Sequence, residues 1–409
     1  MSGAVRTPGA AQGWTLVALA WLSVVAGVVI APVLPTIAHV FAADPQIAVK
    51  IPLVATLPAL MCALLGAVMG AVAARVGRKR LLLIAVTFYG LAGTAPLWLT
   101  SLDSIVASRA LVGFAEAAVM TCATVLIGDY FEGRARERWL ALQTGTAPLV
   151  ATVLLLAGGA LGAIGWRVPF AVYGYAFLLI PLVLVFLWEP AVRSEPVRQA
   201  DEPKIQFRWL PQIGIDLLTV FAMSAFIVTI VQFGFVMTAR GVPSPALIGL
   251  WAAAAALANA GGSALFAVTR WRLPVRLGFA FGMLAVGFAV MALGPGYQSA
   301  IVGVIIASIG CGYVLPTLIT WALSQLPARQ RATGTGLWIA SSFLGQFISP
   351  LAILAFTGLV GSLDGAILCY AAACLVVAIV LPLWLSAKGN GVGEASSHSK
   401  PTPGSRAEP

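Results

Sequence analysis

The chain has 409 residues, 60% of them hydrophobic and 9% charged, with a net charge of +10 and a mean hydropathy of +0.98. Soluble domains carry about a quarter charged residues, so a soluble enzyme is excluded, and at about 20 apolar residues per crossing the length accommodates roughly twelve spans. A single-span receptor is excluded by the same reasoning, and an outer-membrane barrel by unbroken apolar stretches more than twice the roughly ten residues of a barrel strand.

In chain order, apolar runs set against their breakers predict spans near 14–38, 51–74, 81–99, 104–128, 139–163 and 168–188, then 210–238, 246–268, 275–294, 299–323, 333–359 and 365–386. The first run exceeds a signal-peptide core and precedes no small-x-small cleavage site, so it reads as a retained helix after a cytoplasmic tail at 1–13. The halves 14–188 and 210–386 are joined by a segment at 189–209 that mixes Pro190, Pro196 and Pro203 with charges, the composition of a solvated linker. Residues 387–409, rich in Gly, Ser and Pro, read as a disordered tail. The expected architecture is an all-α membrane protein, twelve transmembrane helices in two six-helix bundles.

Twenty of the 24 lysines and arginines fall in alternate connections and the tails, among them Arg75, Arg78, Lys79, Arg80, Arg134, Arg136, Arg138, Arg270, Arg272 and Arg276. The other connections hold Lys50, Arg167 and Arg240, and Arg109 lies within a span. This asymmetry predicts a cytoplasmic-membrane protein with both termini inside, and it explains the basic charge without nucleic acid. Cys62, Cys122, Cys311, Cys369 and Cys374 sit in apolar runs without paired spacing, and His39 and His398 stand apart from any acid or thiol cluster, so no metal or other cofactor is expected. Nothing matches a Walker phosphate loop, so direct use of ATP is not expected.

Between the second and third spans runs Gly70-Ala-Val-Ala-Ala-Arg75-Val-Gly77-Arg78-Lys79-Arg80. This stretch resembles the cytoplasmic signature loop of the major facilitator superfamily. Arg109-Ala-Leu-Val-Gly113 resembles that superfamily's intramembrane arginine motif, and Pro32-Val33-Leu34-Pro35 is similar to a proline pair of its twelve-span drug–proton antiporters; Gly165-Trp166-Arg167 fits as well. The halves echo each other in Arg136-Glu137-Arg138 and Arg329-Gln330-Arg331, each preceded by a Gly-aromatic pair, Gly113-Phe114 and Gly312-Tyr313. Such an echo fits parallel repeats with pseudo-two-fold symmetry about the membrane normal, the major facilitator fold.

The resemblance implies a gating role for Gly70, Arg75, Gly77, Arg78 and Lys79, set against a role as topology anchors only. Two departures stand out. Ala74 occupies the place of the usual aspartate, so the charge lock of that loop cannot form in its usual version, and the antiporter-type Gly-Pro-x-x-Gly-Gly run of the fifth span is missing, with Pro148 after Ala147 and Gly158-Gly159 displaced.

An ionisable side chain at membrane depth is a functional candidate because it costs several kcal/mol unless it meets water or a partner. Three qualify: Glu116 and Arg109 in the fourth span and Asp216 in the seventh. Arg109 and Glu116 share a helix face about 10 Å apart along the axis, which allows a salt bridge, a bridging water or a substrate anion between them. Glu116 is expected to load and unload a proton as access alternates, and the alternative is a fixed tether to Arg109. Asp216 reads either as a second proton or gate residue or as an interfacial group.

By resemblance, spans one, four, seven and ten line a midplane cavity. Candidates there are Trp21 and Ser23, Met120 and Thr121, Phe226, Thr229 and Gln232, and Tyr313 and Thr317, joined by Gln143, Asn259 and Gln346 from neighbouring spans. The same residue types also serve as helix packing and interhelical hydrogen bonds. The expected protein is a monomeric secondary transporter in contact with lipid, not an enzyme, moving a small organic molecule by alternating access and driven by protons, with export the leading expectation. Proton-coupled uptake of an organic anion, with Arg109 as its partner, is the alternative; a membrane sensor or intramembrane enzyme would require a domain or constellation that the sequence lacks.

Overall fold

The structure, a computed structural model, describes residues 7–190, 209–327 and 330–397. Among these residues twelve helices are long and apolar enough to cross a membrane: α1 (Ala10–Val40), α2 (Ile47–Val76), α3 (Arg78–Leu97), α4 (Leu102–Tyr130), α5 (Gly133–Ile164), α6 (Val168–Phe186), α7 (Gln212–Ala239), α8 (Pro245–Val268), α9 (Leu273–Leu293), α10 (Gly296–Ser324), α11 (Thr333–Val360) and α12 (Leu363–Ala387). Every expected span is present. Several overrun their predicted ends; α5 begins at Gly133 rather than near 139, its helical hydrogen bonding continuing to where Arg134, Arg136 and Arg138 are exposed to solvent. The last helix runs on to Ser397, so residues 387–397 are helical where the composition predicts a tail. Of the expected linker, only Glu189, Pro190 and residue 209 lie within the described residues.

Local sequence explains the interruptions. The helix of α1 stops at Val28, passes through a tight turn at Ala31–Val33 and resumes at Leu34, with Pro32 and Pro35 each removing a backbone donor at the break. A second break divides α5 between Gly145 and Ala147, with Pro148 in the first turn of the outer piece. In α7, Val228–Gln232 form one wide turn, a local widening that re-aims the side chains around it.

Helices α1–α6 pack as one bundle and α7–α12 as the other, and the bundles meet along two seams, α5 with α8 and α2 with α11. The seams are related by the repeat that relates the halves. Glycine sets the closest crossings. A Cβ at Gly113 would lie 2.5 Å from the Pro58 Cα of α2, and one at Gly159 of α5 would lie 2.9 Å from the Gly249 Cα of α8, so main chain packs on main chain in both places.

These inter-bundle contacts cluster at one end. Gly159 and Gly162 meet Pro245 and Gly249, Gly234 of α7 packs on Pro35 and Ala31, and Ile47, Ile51 and Pro52 of α2 share a crevice with Pro350, Ile353 and Thr357 of α11. The bundles are therefore closed against each other at the end of residues 41–46 and 240–244.

Candidate functional site

Between the bundles lies a cavity of about 320 Å³. Its wall is drawn from α1 (Ser23, Gly27), α5 (Thr144, Pro148), α7 (Phe226, Thr229), α8 (Ala252, Asn259, Ser263), α10 (Ser308, Leu315) and α11 (Gln346), together with several further apolar side chains. The expectation that α4 lines the cavity alongside α1, α7 and α10 is corrected here. Helix α4 is packed behind α1, α2 and α3, and α5, α8 and α11 take the wall instead. No Asp, Glu, Lys, Arg or His is among the lining residues.

Glu116 reaches the cavity through a neighbour. It is 3% exposed, and its Oε1 accepts a 2.5 Å hydrogen bond from Ser23 Oγ, while Oε2 is buried without a partner. Ser23 itself stands in the cavity wall. The carboxyl therefore faces neither lipid nor a sealed compartment remote from the central opening; one hydroxyl separates it from the cavity.

Arg109 takes a different direction. Fully buried, its guanidinium donates to the Ala92 and Gly93 carbonyls at 3.0 and 3.1 Å, with longer contacts to Ser108 Oγ, and lies 4.7 Å from the Tyr173 ring centre and 5.2 Å from that of Phe170. A direct salt bridge with Glu116 is not formed, because the side chain is drawn to the unsatisfied carbonyls at the end of α3 and to the aromatic faces of α6. It does not line the cavity. Tyr89 and Tyr173 close the space nearby by donating to the Leu22 and Ala26 carbonyls of α1 at 2.6 and 3.3 Å.

Asp216 is 6% exposed near the basic end of α7 and accepts a 2.9 Å bond from Gln212 Nε2 one turn earlier; its Oδ2 and Gln212 Oε1 are buried without partners. It too lies outside the cavity wall.

Of the twelve candidate lining residues, Ser23, Phe226, Thr229, Asn259 and Gln346 are in the wall and seven are elsewhere. Trp21 borders a separate apolar groove of about 430 Å³ on the far side of α1 and α5, its Nε1 donating to Thr146 Oγ1 at 2.9 Å. Thr121 bonds back to the Ala117 carbonyl and across to Gly66, Gln143 to Thr124, and Tyr313 to Thr269, while Thr317 donates to the Tyr313 carbonyl. Gln232 borders the closed-end crevice between α2 and α11, and Met120, half-buried on α4, does not reach the cavity. Ser263 and Ser308 are lining residues that sequence reasoning passed over. A signal for Ser263 existed: Ala252, Ala255, Asn259 and Ser263 form a small and polar stripe at helical spacing.

The signature loop is anchored in a way that bears on Ala74. Gly77 has φ +99°, a conformation that favours glycine, and lets α3 start abruptly after α2. The Glu189 carboxylate beyond α6 then accepts from the Arg78 and Lys79 backbone N–H groups at 2.7 and 2.9 Å, the Arg78 guanidinium pairs with Asp129 at the end of α4, and Lys79 Nζ donates to the Leu184 and Leu187 carbonyls. Asp129 and Glu189 thus supply acids that position 74 does not, and both tie the loop to its own bundle. Arg75 is exposed, and Gly70 lies 3.9 Å from Thr121 Cγ2, measured from an added Cβ, at the α2–α4 contact.

Two six-helix bundles around a central cavity define a membrane transporter built of two parallel repeats. The chain belongs to the Major Facilitator Superfamily, whose family model matches residues 16–243. It is 25% identical over 291 residues to the 3-(3-hydroxy-phenyl)propionate transporter of Escherichia coli (strain K12), a match spanning 68% of this chain and 70% of that protein. It is also 27% identical over 299 residues to an uncharacterized MFS-type transporter of Salmonella typhimurium (strain LT2), with the same coverage. Among solved structures it is similar to a D-xylose-proton symporter, with a TM-score of 0.74 and 16% identity over 90% of this chain and 96% of that one. A bacterial homologue of the human lysosomal transporter Spinster, in an inward-facing and occupied conformation, superposes with a TM-score of 0.72 at 19% identity over 92% and 96% of the two chains.

Proposed function

We propose that this transporter moves a small amphipathic carboxylic acid, an aromatic acid foremost, together with a proton. The observation that carries the reading is Glu116: a carboxyl at membrane depth, 3% exposed and joined by Ser23 to a cavity whose wall holds no fixed charge. An anionic substrate beside an ionised Glu116 would place two negative charges in a low-dielectric site with no cation to offset them. Binding of the anion therefore requires a proton on Glu116, and the two travel together. The apolar wall, with Phe226 and a few hydrogen-bonding groups, suits an aromatic ring better than a sugar, and the E. coli relative is a transporter of such an acid.

With the basic end in the cytoplasm and both termini inside, a proton gradient drives uptake. Arg109, held by carbonyls of α3, serves the bundle rather than the substrate, which replaces the expectation that it pairs with an anion. The loop of Gly70, Arg75, Gly77, Arg78 and Lys79 is assigned to gate movement as part of the first bundle, and the working unit is a monomer in the cytoplasmic membrane. Export by proton antiport is the second reading, favoured by the proline pair Pro32 and Pro35. Proteoliposomes with an imposed pH gradient separate the two: an acid outside drives accumulation of an aromatic carboxylate in the first case and its expulsion in the second. Glu116→Gln is expected to abolish either response while leaving substrate exchange in place, and accumulation by that variant overturns the proposal.

A further inference from the structure

The hydrogen-bonding side chains of the wall are Ser23, Thr144, Thr229, Asn259, Ser263, Ser308 and Gln346. The Thr144 and Thr229 hydroxyls donate to carbonyls one turn back in their own helices, and Ser263 donates to the Gly312 carbonyl at 2.9 Å. Asn259 on α8 has its Nδ2 buried without a partner. On the opposite wall, the Ser23 hydroxyl is given to Glu116. A hydroxyl has a single hydrogen to donate but accepts readily, so Ser23 cannot serve an ionised Glu116 and a bound carboxylate at once.

We infer that Ser23 is a reversible relay that makes proton loading a precondition for carboxylate binding, with Asn259 as the second donor from the other bundle. The inference rests on the proposed coupling role of Glu116. In the empty, deprotonated site the bond runs from Ser23 to Glu116. When water in the cavity delivers a proton to Glu116, the carboxylic acid becomes the donor and gives its hydrogen to Ser23 Oγ. The Ser23 hydrogen then turns into the cavity, where it and Asn259 Nδ2 hold the two oxygens of the substrate carboxylate. Release reverses the order: the acid leaves, Ser23 turns back, and the proton returns to water on the side to which the cavity is then open. Because Ser23 belongs to one bundle and Asn259 to the other, a carboxylate held by both draws the bundles together, which a carboxamide or alcohol lacking the charge does less well.

The other titratable groups facing Glu116 are Cys62 on α2, Tyr89 on α3, Tyr173 on α6 and Arg109 on its own helix. Tyr89, Tyr173 and Arg109 are bound to backbone carbonyls, and the Cys62 thiol lies within hydrogen-bonding reach of the Glu116 carboxyl as well as of the Gly113 carbonyl, the latter at 3.7 Å. None of them shares the Ser23 hydroxyl.

The test is binding of 3-(3-hydroxyphenyl)propionate and its carboxamide to purified protein between pH 5.5 and 8.5, alongside gradient-driven uptake in proteoliposomes. Linkage to one proton weakens carboxylate binding tenfold per pH unit on the alkaline side, and the carboxamide shows no such slope. Glu116→Gln, whose amide donates permanently, is expected to bind the carboxylate at the acid-side affinity at every pH. In Ser23→Ala, Glu116 loses the hydroxyl that holds it as an anion and the substrate loses a donor, so affinity falls about tenfold at acid pH, the size of one charge-assisted hydrogen bond, and the slope drops below twofold per unit. Ser23→Thr restores the slope, and Ser23→Cys, a weaker donor of similar size, gives an intermediate one. Wild-type affinity and slope in Ser23→Ala overturn the relay while leaving Glu116 coupling intact. Accumulation of substrate by Glu116→Gln overturns the coupling itself, and absence of carboxylate binding to the wild type overturns the substrate class on which both depend.

Discussion

Substituting Gly159 by alanine places one methyl group at the point where α5 crosses α8. The added Cβ would lie 2.7 Å from the Pro245 carbonyl oxygen and 2.9 Å from the Gly249 Cα, and the reciprocal substitution of Gly249 would meet Leu155 O at 2.5 Å and the Gly159 Cα at 2.7 Å. Carbon–oxygen contacts relax to about 3.3–3.6 Å, so the helices must part by about 0.6 Å or more, and overpacking of this kind costs about 1–3 kcal/mol. That strain falls on the conformation closed at this end, since separating the bundles here relieves it. At about 1.4 kcal/mol per tenfold, the balance between closed and open moves by roughly five- to hundredfold. Spin labels at exposed Ala43 and Pro243, on connections of opposite bundles at that end, report it by pulsed dipolar spectroscopy: the wild type gives a short distance and Gly159→Ala a longer one. Gly66→Ala, where a Cβ meets nothing within 4 Å, is the control that leaves the distribution unchanged. An unchanged distribution in Gly159→Ala refutes the reasoning that this crossing seals the cavity.

Arg109→Met is expected to lower the thermal midpoint in detergent by the equivalent of about 2–4 kcal/mol, because the Ala92 and Gly93 carbonyls lose a charged donor; substrate affinity per folded molecule stays within twofold of wild type, whereas an anion-binding role would weaken it strongly. Asn259→Leu removes a buried cavity-wall donor that has no protein partner and should weaken carboxylate binding about tenfold without altering its pH slope, measured by the same titrations. Glu189→Gln removes the charge that accepts the first N–H groups of α3; hydrogen exchange of those amides should quicken about fivefold, the size of a weakened cap, with the rest of α3 unaffected. Asp216→Asn should leave gradient-driven uptake above half of wild type, since Asp216 bonds to Gln212 and not, as Glu116 does through Ser23, to a residue of the cavity wall, and a loss as complete as that in Glu116→Gln would make it the coupling residue instead.

The spans were legible because crossing a bilayer requires about 20 apolar residues in series, a property visible in any window of the chain. Helix ends were less so: hydropathy reports the thickness of hydrocarbon, whereas Gly133–Arg138 and the residues after Ser386 are helical beyond it. Rotational phase was the main loss. On a helix surrounded by lipid and other helices every face is apolar, so Trp21 and Ser23, two residues apart on α1, gave equal grounds for facing the cavity, and only Ser23 lines it. Tyr313 and Thr317 were plausible by depth, yet both are spent on interhelical and local hydrogen bonds. Glu116 was legible because a membrane acid is costly enough to stand out. Its partner was not, since proximity in sequence pointed to Arg109 and only the tertiary packing brings Ser23 from α1 to the carboxyl. The roles of Asp129 and Glu189 beside the signature loop were hidden for the same reason: they come from the ends of α4 and α6.

Proton and substrate flux recorded together in one proteoliposome preparation, with a pH dye inside and labelled 3-(3-hydroxyphenyl)propionate outside, bears most directly on whether Glu116 carries the coupled proton. Wild-type protein should bring in about one proton per carboxylate, and Glu116→Gln should exchange substrate with no proton movement. A one-to-one ratio that persists in Glu116→Gln would contradict it.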